Sequence, residues 1–176
     1  MVVIAISGKP GAGTSTIAKM VAERLNIEYF SPGQKFFKPF EEKDDTTEAL
    51  DFWRNKKGKS KGFHEKIDDY QRELAKKGNI VICGKLSVWV LKDLADLKVW
   101  LDCDFEERVR RSSKRDKINL KETKEKLKKR EKIEENEWKR IYGFDRNSQK
   151  EMADIVIDTG VKNPEEIVEE IVEMVL

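Results

Sequence analysis

Val2-Val3-Ile4-Ala5-Ile6-Ser7-Gly8-Lys9-Pro10-Gly11-Ala12-Gly13-Thr14-Ser15 decides the fold. Val2 to Ile6 is short, β-branched and apolar on both faces, the pattern of a buried central strand in a parallel sheet. A glycine-rich turn follows at once. Ile17, Met20, Val21 and Leu25 then recur at helical spacing. Strand, glycine turn and helix in that order frame a phosphate-binding loop. Glycines let successive backbone N–H groups turn toward an anion, and the free amides and dipole of the following helix favour it. Gly8-x-x-x-x-Gly13-Thr14-Ser15 has the required spacing, and Ser15 supplies the hydroxyl that such loops set on Mg²⁺. The nucleotide-binding stretch is therefore Gly8, Lys9, Pro10, Gly11, Ala12, Gly13, Thr14, Ser15 and Thr16. Thr14 stands where a lysine is usual. That ammonium normally neutralises charge growing on a transferred phosphoryl group. Lys9 either supplies the charge from another side or is a solvated loop lysine.

Outward from the loop the alternation continues. Ile27–Phe30, Ile80–Cys83, Leu97–Leu101 and Ile155–Ile157 read as four more short strands. Phe36, Phe37, Phe40, Leu50, Phe52 and Trp53 suggest small helices, with the phenylalanines either core or available for stacking on a base. The basic stretch from Arg54 to Gly62 reads as a solvated loop, or as a binder of acceptor phosphate or RNA backbone. Phe63, Ile67, Tyr70 and Leu74 predict one face of a helix that stops at Gly78, with His64 a partly exposed residue at its start. Leu86 to Leu91 predicts a short helix on the sheet. Asp104 with Glu107, and Asn119 with Glu122, have capping-box spacing. Leu120 to Tyr142 is long, charged and thinly apolar, so it predicts an exposed helix or one leaning over a cleft. Pro164 opens a last amphipathic helix. This order predicts an α/β, three-layer P-loop NTPase fold with a five-stranded parallel sheet. No repeat or linker divides the 176 residues, so a single domain is expected.

Composition excludes several classes. Charged residues make up 40% and apolar residues 38%, and 36 Lys+Arg face 34 Asp+Glu. Such balance argues against a general polyanion binder, so no stable nucleic-acid partner is expected. No run approaches the roughly 20 apolar residues that cross a bilayer, and MVVIAISG lacks the basic region and cleavage pattern of a signal peptide. Two cysteines build neither a disulfide scaffold nor a four-thiolate zinc site, and one histidine argues against a His-rich metal centre. Cys83 and Cys103, at strand ends, read as small core residues. A cytoplasmic monomer without membrane contact is expected.

Five passages carry a family resemblance: VVIAISGKPGAGTSTIAK; SPGQKFF; KIDDYQRELAKKGNIVICGKL; ADLKVWLDCDFEERVRR; and REKIEENEWKRIYGFD followed by ADIVIDT. Together they span nearly the whole chain, which resembles the archaeal type of cytidylate kinase within the nucleoside monophosphate kinases. The resemblance implies a core of residues 1–33, 78–104 and 153–176, a small acceptor-binding region over about 34–77 and a lid over about 105–152. It implies transfer of the γ-phosphoryl of ATP, with Mg²⁺, to CMP or dCMP. Residue by residue, it implies that Ser31, Gly33, Lys38, Asp68, Gln71 and Lys85 hold the acceptor. It implies that Arg108, Arg111, Arg115 and Arg130 serve the transferring phosphate. The chain departs from the family pattern at Gln34 (usually Asp), at Phe37 and Tyr70 (usually Arg), and at Cys83-Gly84-Lys85 (usually Glu–small–Arg). Glu135 and Glu137 stand where lid arginines are usual. These departures keep two alternatives open: a nucleotide-binding module with weak or lost transfer, and a related kinase with another acceptor.

Overall fold

β1 (Val3–Gly8) is buried at every residue and occupies the middle of the sheet. Its alternating side chains feed two cores. Ile4 and Ile6 pack with Ile17, Val21, Ile167 and Ile171; Val3 and Ala5 pack with Trp53, Val88, Leu91, Trp138 and Ile141. Ile4 and Ile6 are 0% exposed, and burial of each is worth roughly 2 kcal/mol. A strand loaded on both faces cannot lie at an edge, which is why the opening apolar run fixes the architecture.

The computed structural model describes residues 1–37 and 44–176; Lys38 and Phe40 lie outside them. The described residues form a five-stranded sheet of β2 (Glu28–Phe30), β3 (Ile80–Cys83), β1, β4 (Leu97–Asp102) and β5 (Ile155–Asp158), in that spatial order. Every neighbouring pair is parallel. Helices α1 (Thr14–Leu25) and α8 (Pro164–Glu173) pack together on one face. α8 begins with Pro164 behind a full capping box between Asn163 and Glu166. On the opposite face residues of α2 (Asp45–Arg54), α3 (Lys61–Lys77), α4 (Ser87–Val90), α6 (Leu120–Tyr142) and α7 (Gln149–Met152) join the second core, and α5 (Phe105–Asp116) packs against α6. From β1 the chain passes through α1 to β2 at one edge, returns through β3 and crosses β1 to reach β4 on the other side, so a crevice opens beyond the carboxyl end of β1, where the glycine turn sits.

Two sequence expectations change. The buried face of α3 is His64, Ile67, Asp68, Gln71 and Ala75, while Tyr70 is 37% exposed. The helix is rotated from the apolar face expected because its polar residues face a cleft. His64 is 2% exposed, not a partly exposed helix start. The basic loop before α3 is pinned: Gly58 N–H donates to Asn55 Oδ1 (2.8 Å), the His64 ring meets Gly58 O (2.7 Å) and Arg140 donates to Lys59 O (2.7 Å). Along α6, Thr123, Leu127, Arg130, Glu134, Trp138 and Ile141 form one buried stripe, so this charged helix leans over the cleft.

Candidate active site

The glycine turn forms one end of a cleft of about 550 Å³. Gly11 (φ +84°) and Gly13 (φ +88°) are left-handed, a conformation in which a side chain is strained. A Cβ on Gly11 would also lie 2.9 Å from Ser112 Oγ and 3.0 Å from Arg108 O, so the loop lies flat against α5. Gly13 caps α1 with no side-chain acceptor for the first amides, and no acidic residue occupies the first turn. These free N–H groups at a helix start make an anion cradle. Gly8, Lys9, Pro10, Gly11, Gly13, Thr14, Ser15 and Thr16 line the cleft; Ala12 is 0% exposed and its carbonyl accepts from Thr159 Oγ1 at 2.8 Å. Beneath the loop, burial pushes the Cys83 thiol up to about 11.

Two arginines of α5 play different parts. Arg111 lines the cleft and donates to Thr159 Oγ1 (2.9 Å) and Thr159 O (2.6 Å), which ties it to the loop through Thr159. Arg108, expected over the transferring phosphate, stands behind the loop instead. It is 3% exposed and donates to Cys103 O and Pro10 O, both at 3.1 Å, and to Glu131. Bonds to two carbonyls and a carboxylate make it a brace for the turn. Thr159 escaped the sequence reading as a site residue, and only the ADIVIDT passage pointed to its neighbourhood.

At the waist of the cleft the charges are dense. Lys85, at the turn after β3, meets Glu134 of α6. Arg130 Nε donates to Glu134 Oε1 (3.1 Å) and Nη1 to Asp45 Oδ2 (3.1 Å). Arg115 lies 3.2 Å from the same Asp45 oxygen and pairs with Asp116 at 2.6 Å. Asp45 opens α2, so these pairs join α2 to α5 and α6 across the cleft. Burial works against the charge on Arg130, but Glu134 and Asp45 outweigh it and its pKa rises. Lys85 goes the other way: burial and Arg130 push it down to about 8 against the pull of Glu134. Asp102, at the end of β4, is paired with Lys150 (2.6 Å) and is absent from the cleft lining.

The far end of the cleft is a flat-walled pocket. Phe37, Phe52, Trp53, His64 and Trp138 line it, and His64 stacks on Trp53 with centroids 5.3 Å apart at 20°. The carbonyl of Gly58 only accepts, so His64 Nε2 carries the hydrogen; burial lowers the His64 pKa and favours the neutral ring. One edge of the pocket is polar. Asp68 accepts from Tyr142 Oη, Gln71 accepts from Ser87 Oγ (2.7 Å), and burial raises Asp68 to about 6. Ser31 and Gly33 line the same cleft. Of the expected site residues, the cleft thus gathers the loop other than Ala12, then Ser31, Gly33, Asp68, Gln71, Lys85, Arg111, Arg115 and Arg130, and Lys38 lies outside the described residues.

A parallel β2-β3-β1-β4-β5 sheet with a glycine cradle at the end of β1 and a second pocket across a cationic waist defines a P-loop kinase. A family model described as the cytidylate kinase-like family matches residues 3–161. A cytidylate kinase of Ignicoccus hospitalis is 36% identical over 176 residues, all of both chains. That of Archaeoglobus fulgidus is 35% identical, covering 98% of this chain and 93% of its own. Among solved structures, an uncharacterized protein from Eubacterium ventriosum superposes with a TM-score of 0.72 at 20% identity, covering 99% of this chain and 98% of its own. A shikimate kinase from Acinetobacter baumannii reaches 0.65 at 19%, covering 99% and 93%; these two likenesses concern the fold alone. The chain belongs to the cytidylate kinase-like family, and its enzyme class is nucleoside monophosphate kinase. Among the described residues no helix is long and apolar enough to cross a membrane.

Proposed function

We propose that this chain transfers the γ-phosphoryl group of ATP to CMP or dCMP, giving ADP and CDP or dCDP. The observation that carries the reading is a single cleft whose two ends suit two nucleotides. One end is an uncapped helix start for polyphosphate, the other an aromatic-walled pocket with a polar edge, and cations stand between them. The names of the relatives add cytidylate as the acceptor.

In this reading the amides of Gly13 to Thr16 take the donor phosphates, and residues 105–152 act as the lid over them. Residues 34–77 form the acceptor-binding region. Ser15 on the cleft lining and the acid-free start of α1 fit a Mg²⁺–nucleotide. When bound near Ser15, Mg²⁺ would supply charge neutralisation for the donor phosphates. Lys9, Lys85, Arg111, Arg115 and Arg130 supply the remaining positive charge from the protein, which compensates for Thr14 in the lysine position. Such transfer asks the protein to position and neutralise rather than to form bonds. In the acceptor pocket Trp53, Trp138 and Phe37 flank the base. Asp68 accepts from an exocyclic amino group, which cytosine has and uracil lacks.

A coupled assay of ADP formation against CMP, dCMP, UMP, AMP and GMP, with an acceptor-free blank, tests the reading. CMP and dCMP are expected to exceed UMP in kcat/KM by roughly tenfold or more, because a base without the amino group leaves the buried Asp68 acceptor unpaired. Nucleotide binding without turnover on any acceptor, or turnover confined to another acceptor, contradicts it.

The pH dependence follows from Asp68. Its folded pKa of about 6 means that the carboxylate is lost as the pH falls through 6. Since kcat/KM reports groups of the free enzyme, kcat/KM for CMP is expected to show an acid limb near 6. Asp68→Asn should abolish that limb and lower kcat/KM on the plateau. A limb that persists in the variant assigns it to another group.

A further inference from the structure

Glu134 is the least expected group beside the cleft, since a carboxylate there opposes the phosphates. Yet it is 0% exposed, and among the described residues three cations meet it. Oε1 accepts from Lys85 Nζ and from Arg130 Nε (3.1 Å); Oε2 accepts from Arg146 Nη1 (2.9 Å). Lys85 arrives from the end of β3, Arg130 from α6 itself, and Arg146 from the short turn after it. Lys85 and Arg130 line the cleft, while Glu134 and Arg146 stand behind them.

We propose that Glu134 is a positioning residue for phosphoryl transfer: it holds the Lys85 ammonium beside the Arg130 guanidinium at the waist of the cleft and keeps that ammonium charged. The inference rests on the reading of the cleft as a phosphoryl-transfer site. Without Glu134, Arg130 still has Asp45 (3.1 Å) and Arg146 still has Glu135 (3.7 Å), so the loss falls on Lys85, and only the ammonium can relieve repulsion by losing its proton, because a guanidinium keeps its own. Burial, Arg130 and Arg146 all push Lys85 toward the neutral form, and Glu134 opposes them. Other groups facing this region are His64 and Asp68 of α3, Lys9 of the loop, and the Asp45–Arg115 pair. Burial and three cations give Glu134 opposite pulls; the cations win, so it stays ionised. One negative charge is thereby exchanged for two fixed positive ones facing the phosphates.

Glu134→Gln keeps the shape and removes the charge. Its test is the kcat/KM–pH profile together with an NMR titration of the Lys85 side chain, assigned by its loss in Lys85→Arg. The expected result is a Lys85 pKa about one unit or more below the wild-type value near 8. The alkaline limb should move down with it, and kcat at pH 8 should fall roughly fivefold or more. In the double variant Glu134→Gln with Lys85→Arg that limb should vanish. An unmoved Lys85 titration, or an unmoved limb in an active variant, overturns the proposal. A Glu134 with only a structural part would lower thermal stability and leave both readouts in place. Where the amide variant does not fold, Glu134→Asp keeps the charge at shorter reach. It should lose kcat several-fold at every pH, and wild-type kcat in it overturns the proposal. If the wild-type chain transfers phosphoryl to no acceptor, the reading of the reaction fails, while the NMR titration still tests the hold of Glu134 on Lys85.

Discussion

Ser15→Ala is expected to lower kcat by about 10²–10³-fold, the size of losing one fixed group that acts on transition-state charge. The side chain is exposed in the first turn of α1 and lines the cleft. The cap of that helix is the backbone of Gly13, with no side-chain hydrogen bond to lose. Removing the hydroxyl therefore takes away little packing, and surface changes of this kind usually move stability by less than about 0.5 kcal/mol. The amide cradle also survives, so ATP should still bind the variant. The pattern that identifies the role is a collapse of turnover with melting temperature and nucleotide binding retained. It is measured by steady-state kinetics beside calorimetric titration with ATP. Turnover like that of the wild-type chain in Ser15→Ala removes Ser15 from the metal–nucleotide contact.

Arg130→Ala is expected to cost more, about 10³-fold or above in kcat, the range found where one arginine neutralises a transferring phosphoryl group. Arg130 is 6% exposed, lines the cleft and joins Glu134 of α6 to Asp45 of α2. Its loss leaves Glu134 with Lys85 and Arg146, and Asp45 with Arg115, so neither carboxylate is stranded. The fold should survive, although truncating one member of a buried network destabilises. Arg130→Lys keeps the charge but lacks the fork that spans two carboxylates, so it should recover only part of the rate. The check is kcat for both variants, normalised to the folded fraction by thermal melts. Arg130→Ala within about tenfold of the wild-type rate, or no recovery of rate in Arg130→Lys relative to Arg130→Ala, takes Arg130 out of the transfer site.

Much of the fold was legible in the sequence because it is written in apolar side chains. β1 and β3 are β-branched on both faces and pack as the sequence predicts, and Pro164 with Asn163 marks the start of α8. The phosphate loop was legible for a different reason: its backbone needs glycines at Gly11 and Gly13, and the sequence supplies them. What escaped lies around the cleft, where polar side chains are buried and hydrophobicity misleads. On α3 the apolar set Phe63, Ile67, Tyr70 and Leu74 is fully buried only at Ile67, because His64, Asp68 and Gln71 turn inward to the pocket. On α6 Glu134 was lost among many charged residues. Only the three- and four-residue spacing of Thr123, Leu127, Arg130, Glu134, Trp138 and Ile141 marks that stripe as one face. Arg108 shows the converse. An arginine in a lid-like segment reads as a phosphate ligand, but its bonds to Pro10 O and Cys103 O are settled by tertiary packing that spacing does not encode.

The central claim is that the cleft joins a donor and an acceptor nucleotide in direct transfer. Phosphorus NMR of the wild-type chain with Mg²⁺, ATP and CMP tests it most directly. The expected spectrum shows the β-phosphorus signal of CDP rising in step with ADP while ATP and CMP fall together. ADP rising with inorganic phosphate and no CDP, or unchanged ATP and CMP with the folded chain, contradicts the account.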